Sequence, residues 1–79
     1  MADILTEIAA ERVRQDMKWG GPEHDDTHTH TDWLNLIDKR LAPPASHRTP
    51  AVEYRRAMIE IAALAIAAVA SFDRKVERR

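Results

Sequence analysis

The segment Glu23-His24-Asp25-Asp26-Thr27-His28-Thr29-His30 carries three of the chain's four histidines beside three carboxylates. Imidazole nitrogen and carboxylate oxygen are the side-chain ligands that zinc, manganese and similar divalent ions take, and carboxylate oxygen alone also suits magnesium. His24, Asp25, Asp26 and His28 are therefore candidate ligands for a divalent ion, with Glu60 as a further one from a later helix. The same residues suit a second role. Asp and Thr bond to nearby backbone and cap helices, so the segment also reads as a structured polar loop. It matches neither a zinc-finger spacing nor the His-Glu-x-x-His helix. Trp19-Gly20-Gly21-Pro22 precedes it and has the composition of a turn.

A second set of residues suits an anionic, flat ligand. Arg12, Lys18, Lys39 and Arg56 can face phosphate. Trp19 and Tyr54 can stack on a base, while Trp33 reads as a core anchor. Arg12 lies where the inner stripe of its helix should continue apolar, and Asp16, four residues on, can pair with it or join the same pocket. Glu7 and Glu11 read as a solvated acidic face. Glu60 interrupts an apolar stretch and needs a cation; Arg56, or a shared metal with Glu53, would supply it.

Three helices must position these groups. Residues 3–18 start at Asp3 as N-cap and bury Ile4, Leu5, Ile8 and Ala9. Gly20-Gly21 ends that helix, and Pro22 opposes its resumption. Residues 32–41, capped by Thr31 or Asp32, place Trp33, Ile37 and Leu41 on one face. A break at Pro43-Pro44 continues through Ser46-His47-Arg48. Thr49-Pro50 then opens a long helix over residues 50–76, spanning ~40 Å at about 1.5 Å per residue. No strand pattern and no internal repeat occurs. The fold class is all-α, one domain over residues 1–79, with helices short, short and long.

The long helix raises a packing problem. From Ile61 to Ala70 it is apolar on every side, so it should be surrounded. Two short helices are too few for that. Alanines 62, 63, 65, 67, 68 and 70 would admit a close neighbour, and a second copy of the chain would complete a helical bundle. A homo-oligomer, dimer or higher, is the expectation.

Totals narrow the function further. Seventy-nine residues make a marginal core on their own, and the absence of cysteine removes disulfides as a remedy. Net charge is −1, so the broad basic field that long nucleic acid demands is missing. The longest apolar run is about half of the ~20 residues a membrane span needs. Without a secretory pattern at the N-terminus, the expected location is the cytoplasm.

Two stretches carry a family resemblance. One runs Ile8-Ala9-Ala10-Glu11-Arg12 into Arg14-Gln15-Asp16-Met17-Lys18-Trp19-Gly20 and Glu23-His24-Asp25-Asp26-Thr27-His28. The other runs Tyr54-Arg55-Arg56, Ile59-Glu60-Ile61-Ala62-Ala63-Leu64-Ala65 and Phe72-Asp73-Arg74-Lys75. Together they resemble small uncharacterised phage and prophage proteins sharing a Trp-Gly-x-x-x-His-Asp-Asp-x-His motif. More distantly, the chain is similar to MazG-like all-α nucleotide pyrophosphohydrolases, which hold magnesium with a Glu-x-x-Glu pair and a later Glu-x-x-Asp pair. Here the corresponding stretch reads Asn35-Leu36-Ile37-Asp38-Lys39, and Glu60 is followed three residues on by Ala63. Only Asp38 and Glu60 can stand in for the acidic cluster. The resemblance implies a binder of a nucleotide-like phosphate ligand that sequesters a host defence signal in the host cytoplasm. A metal-dependent pyrophosphohydrolase, and an inhibitor docking on a host enzyme, are the alternatives.

Overall fold

The computed structural model describes residues 3–41 and 50–77, and these are helical almost throughout. Four helices occur among them where three were expected. They are α1 (Ile4–Trp19), α2 (Gly21–Asp25), α3 (His30–Leu41) and α4 (Ala51–Glu77). The Pro43-Pro44 break and the Thr49 cap fall outside the described residues.

α1 begins as its sequence requires. The Asp3 carboxylate accepts from the Leu5 amide at 3.0 Å, satisfying a backbone donor left over at the first turn, and from the Thr6 side-chain hydroxyl at 2.8 Å. Gly20 ends the helix at φ 107°, donating its N–H to the Asp16 carbonyl. Only glycine takes that left-handed cap without strain. The chain then turns at once into α2, with Pro22 in its first turn. Proline at that place costs nothing, because the missing N–H would have had no acceptor. Pro22 thus opens a short helix instead of blocking one.

α3 starts two residues earlier than its apolar pattern suggests. The Thr29 hydroxyl accepts from the Asp32 amide at 3.1 Å, and the Asp32 carboxylate accepts from the Thr29 amide at 2.9 Å. This reciprocal capping box makes Thr29 the cap and Asp32 the third helical residue.

α4 is the middle of the structure. α1 packs along one side of it and α3 along another, while the backbones of α1 and α3 stay apart. The core is small: Trp33, Leu64 and Ala67, supported by Trp19, Leu36, Ile37 and Ala68. Trp33 is therefore the anchor its position predicts. On α4 the buried positions Ala57, Leu64, Ala67 and Ser71 follow one helical stripe.

α1 uses a different face from the one expected. Gln15 is its buried residue, with Ile8, Glu11, Arg12 and Trp19 partly covered. Ile4 is 53 % exposed and Leu5 74 %, so the Ile4-Leu5 start of the expected inner stripe is not packed. Gln15 fits because its amide finds partners: Nε2 donates to Glu11 Oε2 at 3.1 Å and to the Glu60 carbonyl at 3.4 Å.

No helix among the described residues is long and apolar enough to cross a membrane. Among the described residues the outer side of α4 is left largely uncovered. Val69 is 60 % exposed, Phe72 52 % and Val76 51 %.

Candidate functional site

The His/Asp segment is tied to the last turns of α4. Asp26 is held by Ser71 Oγ at 2.9 Å and by Arg74, whose Nη2 donates to Oδ1 at 2.7 Å while Nε reaches both carboxylate oxygens. Lys75 Nζ donates to the His28 carbonyl at 2.6 Å. Ser71 Oγ also lies 3.4 Å from the Asp25 carbonyl. Within the segment, Thr27 Oγ1 donates to the His24 carbonyl at 2.6 Å. These bonds fix the α2–α3 connection, as the structured-loop reading requires. The ring of His28 packs edge-to-face on His24 and stacks at 4.7 Å on Trp33, which carries the loop's position into the core.

Among the described residues no three His, Cys, Asp or Glu side chains form a group that could hold a metal ion, although the His24 and His28 rings lie 4.9 Å apart. Asp26 is engaged by Ser71 and Arg74. Glu60 sits eleven residues before Ser71 on α4, roughly 16 Å away along the axis, and pairs with Arg40, whose Nε is 3.0 Å from Oε2. Arg14 stands 4.0 Å from its other oxygen. Glu60 thus has cations as expected, but from α3 and α1 and not from Arg56.

Asp25 is 8 % exposed. Burial first, and then the nearby carboxylate of Asp16, push its pKa up, against smaller opposing effects of His28, Arg74 and His24. Its charge therefore costs stability at neutral pH, and that cost disappears as pH falls through the raised folded value. Asp25→Asn should melt at or above wild type at pH 7, with the gap closing as pH approaches the unfolded value of 3.8. Thermal melts across that range check this; a less stable variant at pH 7 would show that Asp25 works as an anion.

The expected phosphate contacts divide among three places. Arg12 and Asp16 share a groove of about 370 Å³ between α1 and α4 with Leu5, Ala9, Val13 and Ile66. Among the described residues no ion pair joins them, and Arg12 Nε is buried without a hydrogen-bond partner. Lys18 lies over the Trp19 ring at 5.3 Å and Arg40 at 5.9 Å. Trp19 is half-buried and packs on the core, so one face is already used. Arg56 lines a charged groove with Glu7, Glu11, Arg14, Arg55 and Ile59. There Arg55 forks onto Glu7, and Arg14 onto Glu11, so the acidic face of α1 is paired and not simply solvated. Both carboxyls are held below their ordinary range by these arginines. Lys39 and Tyr54 are exposed and line none of these grooves.

Residues missed by the sequence reading are Arg40, Ser71, Arg74 and Lys75. A signal for two of them exists. Leu64, Ala67, Ser71 and Arg74 follow one another at three- and four-residue steps, so Ser71 and Arg74 prolong the buried stripe. A serine and an arginine there must meet polar groups, and the nearest polar segment is the His/Asp loop. Arg40 gave no such sign.

Set against protein-family models, curated proteins and solved structures, the chain matches none.

Proposed function

We propose that this chain is a self-assembling helical binder of a phosphate-bearing, nucleotide-like ligand, held in the α1–α4 groove beside Arg12. The observation that carries the reading is the buried Arg12 Nε, which has no hydrogen-bond partner among the described residues. A guanidinium N–H taken out of water needs an acceptor, and a phosphate oxygen supplies one with charge. Asp16, Leu5, Val13 and Ile66 around it offer a second polar contact and an apolar wall. Ile66 also borders the uncovered side of α4, so a second subunit there would close the groove. Binding is favoured over hydrolysis because Glu60 is held by arginines and Asp38 is exposed. Sequestration of a host signal is the biological role that the phage resemblance implies for such a binder.

Calorimetry with linear and cyclic nucleotides tests this. Arg12→Ala should fold yet bind the preferred nucleotide about 10- to 100-fold more weakly, the equivalent of a charge-assisted hydrogen bond of ~1.5–3 kcal/mol. If Arg12 serves only Asp16 or the fold, the variant loses stability with or without nucleotide.

A second reading, an interaction module for a host protein, is favoured by a different groove. It lies between α3 and α4, holds about 360 Å³, and is lined by Trp33, Leu34, Ile37, Ala65, Val69 and Phe72. A wild-type protein that binds no nucleotide would leave this reading in place.

A further inference from the structure

The outward face of α4 carries a repeat that the described residues leave largely open, α3 reaching only its edge, where the His30 ring lies 6.1 Å from that of Phe72. Met58, Ala62, Ala65, Val69, Phe72 and Val76 follow one another at steps of four, three, four, three and four. That is the spacing of a coiled-coil seam, in which each residue enters a gap on a facing helix. Val69, Phe72 and Val76 are each more than half exposed, Ala65 is exposed, and Met58 and Ala62 are partly covered. The buried stripe of α4, through Leu64, Ala67 and Ser71, points the other way. A run of this length is more than the scattered single apolar residues of an ordinary surface.

The sizes along the seam identify its occupant. Met58 and Val76 lie nine residues either side of Ala67, Ala62 and Phe72 five, Ala65 and Val69 two. In a two-fold dimer, residue i of one copy meets residue j of the other, and j meets i. An axis crossing α4 at the level of Ala67 sets each small residue against a larger one: Ala62 against Phe72, Ala65 against Val69. Met58 meets Val76 at the ends. Every layer then holds a similar volume, as close packing demands. A parallel pairing would set Phe72 on Phe72 and Ala62 on Ala62. One layer would be overfilled and another hollow, and both cost stability.

We infer that the partner on this face is a second copy of the chain, its α4 antiparallel to the first and in the register that places Phe72 opposite Ala62. The inference rests on the self-assembly proposed above and adds its orientation and register.

The chain has no cysteine, so introduced thiols report the pairing directly. A disulfide needs Cα atoms roughly 4.4–6.8 Å apart. In the antiparallel register the two copies of residue 62 lie ten residues apart along the seam, ~15 Å at about 1.5 Å per residue. Ala62→Cys alone should therefore give no cross-linked dimer under mild oxidation. Mixed with Phe72→Cys it should give a heterodisulfide. Met58→Cys mixed with Val76→Cys should do the same, which keeps the test valid if Phe72→Cys folds poorly. Self-linking of Ala62→Cys, or a wild-type dimer for which neither mixture links, overturns the antiparallel register while leaving self-assembly standing. A wild-type monomer by sedimentation at micromolar concentration overturns both.

Discussion

Ala65→Glu should convert the assembled protein to monomer, or unfold it, at concentrations where wild type stays associated. Ala65 is exposed on α4 in the single chain, midway along the apolar seam. A carboxylate there can stay solvated in the monomer. In the dimer it would face Val69 of the other copy and lose its water without gaining a cation. An unpaired buried charge costs several kcal/mol, and each ~1.4 kcal/mol is tenfold in the association constant. A two-fold interface carries the change twice. The expected weakening is therefore on the order of 10³-fold or more. Sedimentation of both proteins across a concentration series measures it. An associated variant indistinguishable from wild type would mean that α4 does not mediate assembly.

Asp26→Ala should destabilise the fold by about 2–3 kcal/mol, the worth of hydrogen bonds to a charged, partly buried group. The Asp26 side chain is 11 % exposed and Arg74 is 29 % exposed. Removing the carboxylate takes away the acceptor for Arg74 and leaves the almost fully buried Ser71 hydroxyl with only its longer contact to the Asp25 carbonyl at 3.4 Å. A domain of this size has little stability to spare, so the loss should appear as a large drop in melting temperature and as faster hydrogen exchange in α2 and the α2–α3 connection. Chelator-treated wild type separates the latch from a metal site. If Asp26 acts only as a latch, wild type keeps its melting temperature in chelator and the variant is equally destabilised in both conditions. If the metal reading is right, chelator alone lowers wild type to the level of the variant and added manganese or zinc restores it.

The sequence by itself determined the helical class, because three- and four-residue apolar spacing, an Asp3 cap and a glycine stop each speak for a local structure whose hydrogen bonds close within a few residues. It also identified Trp33 as an anchor, since a tryptophan on the apolar face of a short helix has nowhere else to go. The apolar run from Ile61 to Ala70 announced that one chain lacks the surface to cover α4, and the exposure of Ala65, Ile66 and Val69 accords with that.

Tertiary structure decided which polar group meets which, because those partners lie 20 to 48 residues apart in the chain and no local rule selects among them. Arg40 took Glu60, where Arg56 was nearer in sequence. Ser71, Arg74 and Lys75 took the loop in which metal ligands were expected. α1 turned Gln15 inward because its amide could be satisfied on α4, and that rotation left Leu5 and Val13 facing out. Periodicity shows that a helix has an apolar side. It does not show which of two competing sides is buried when a polar residue finds a partner, and on α1 that choice is what leaves Arg12 at the groove without one.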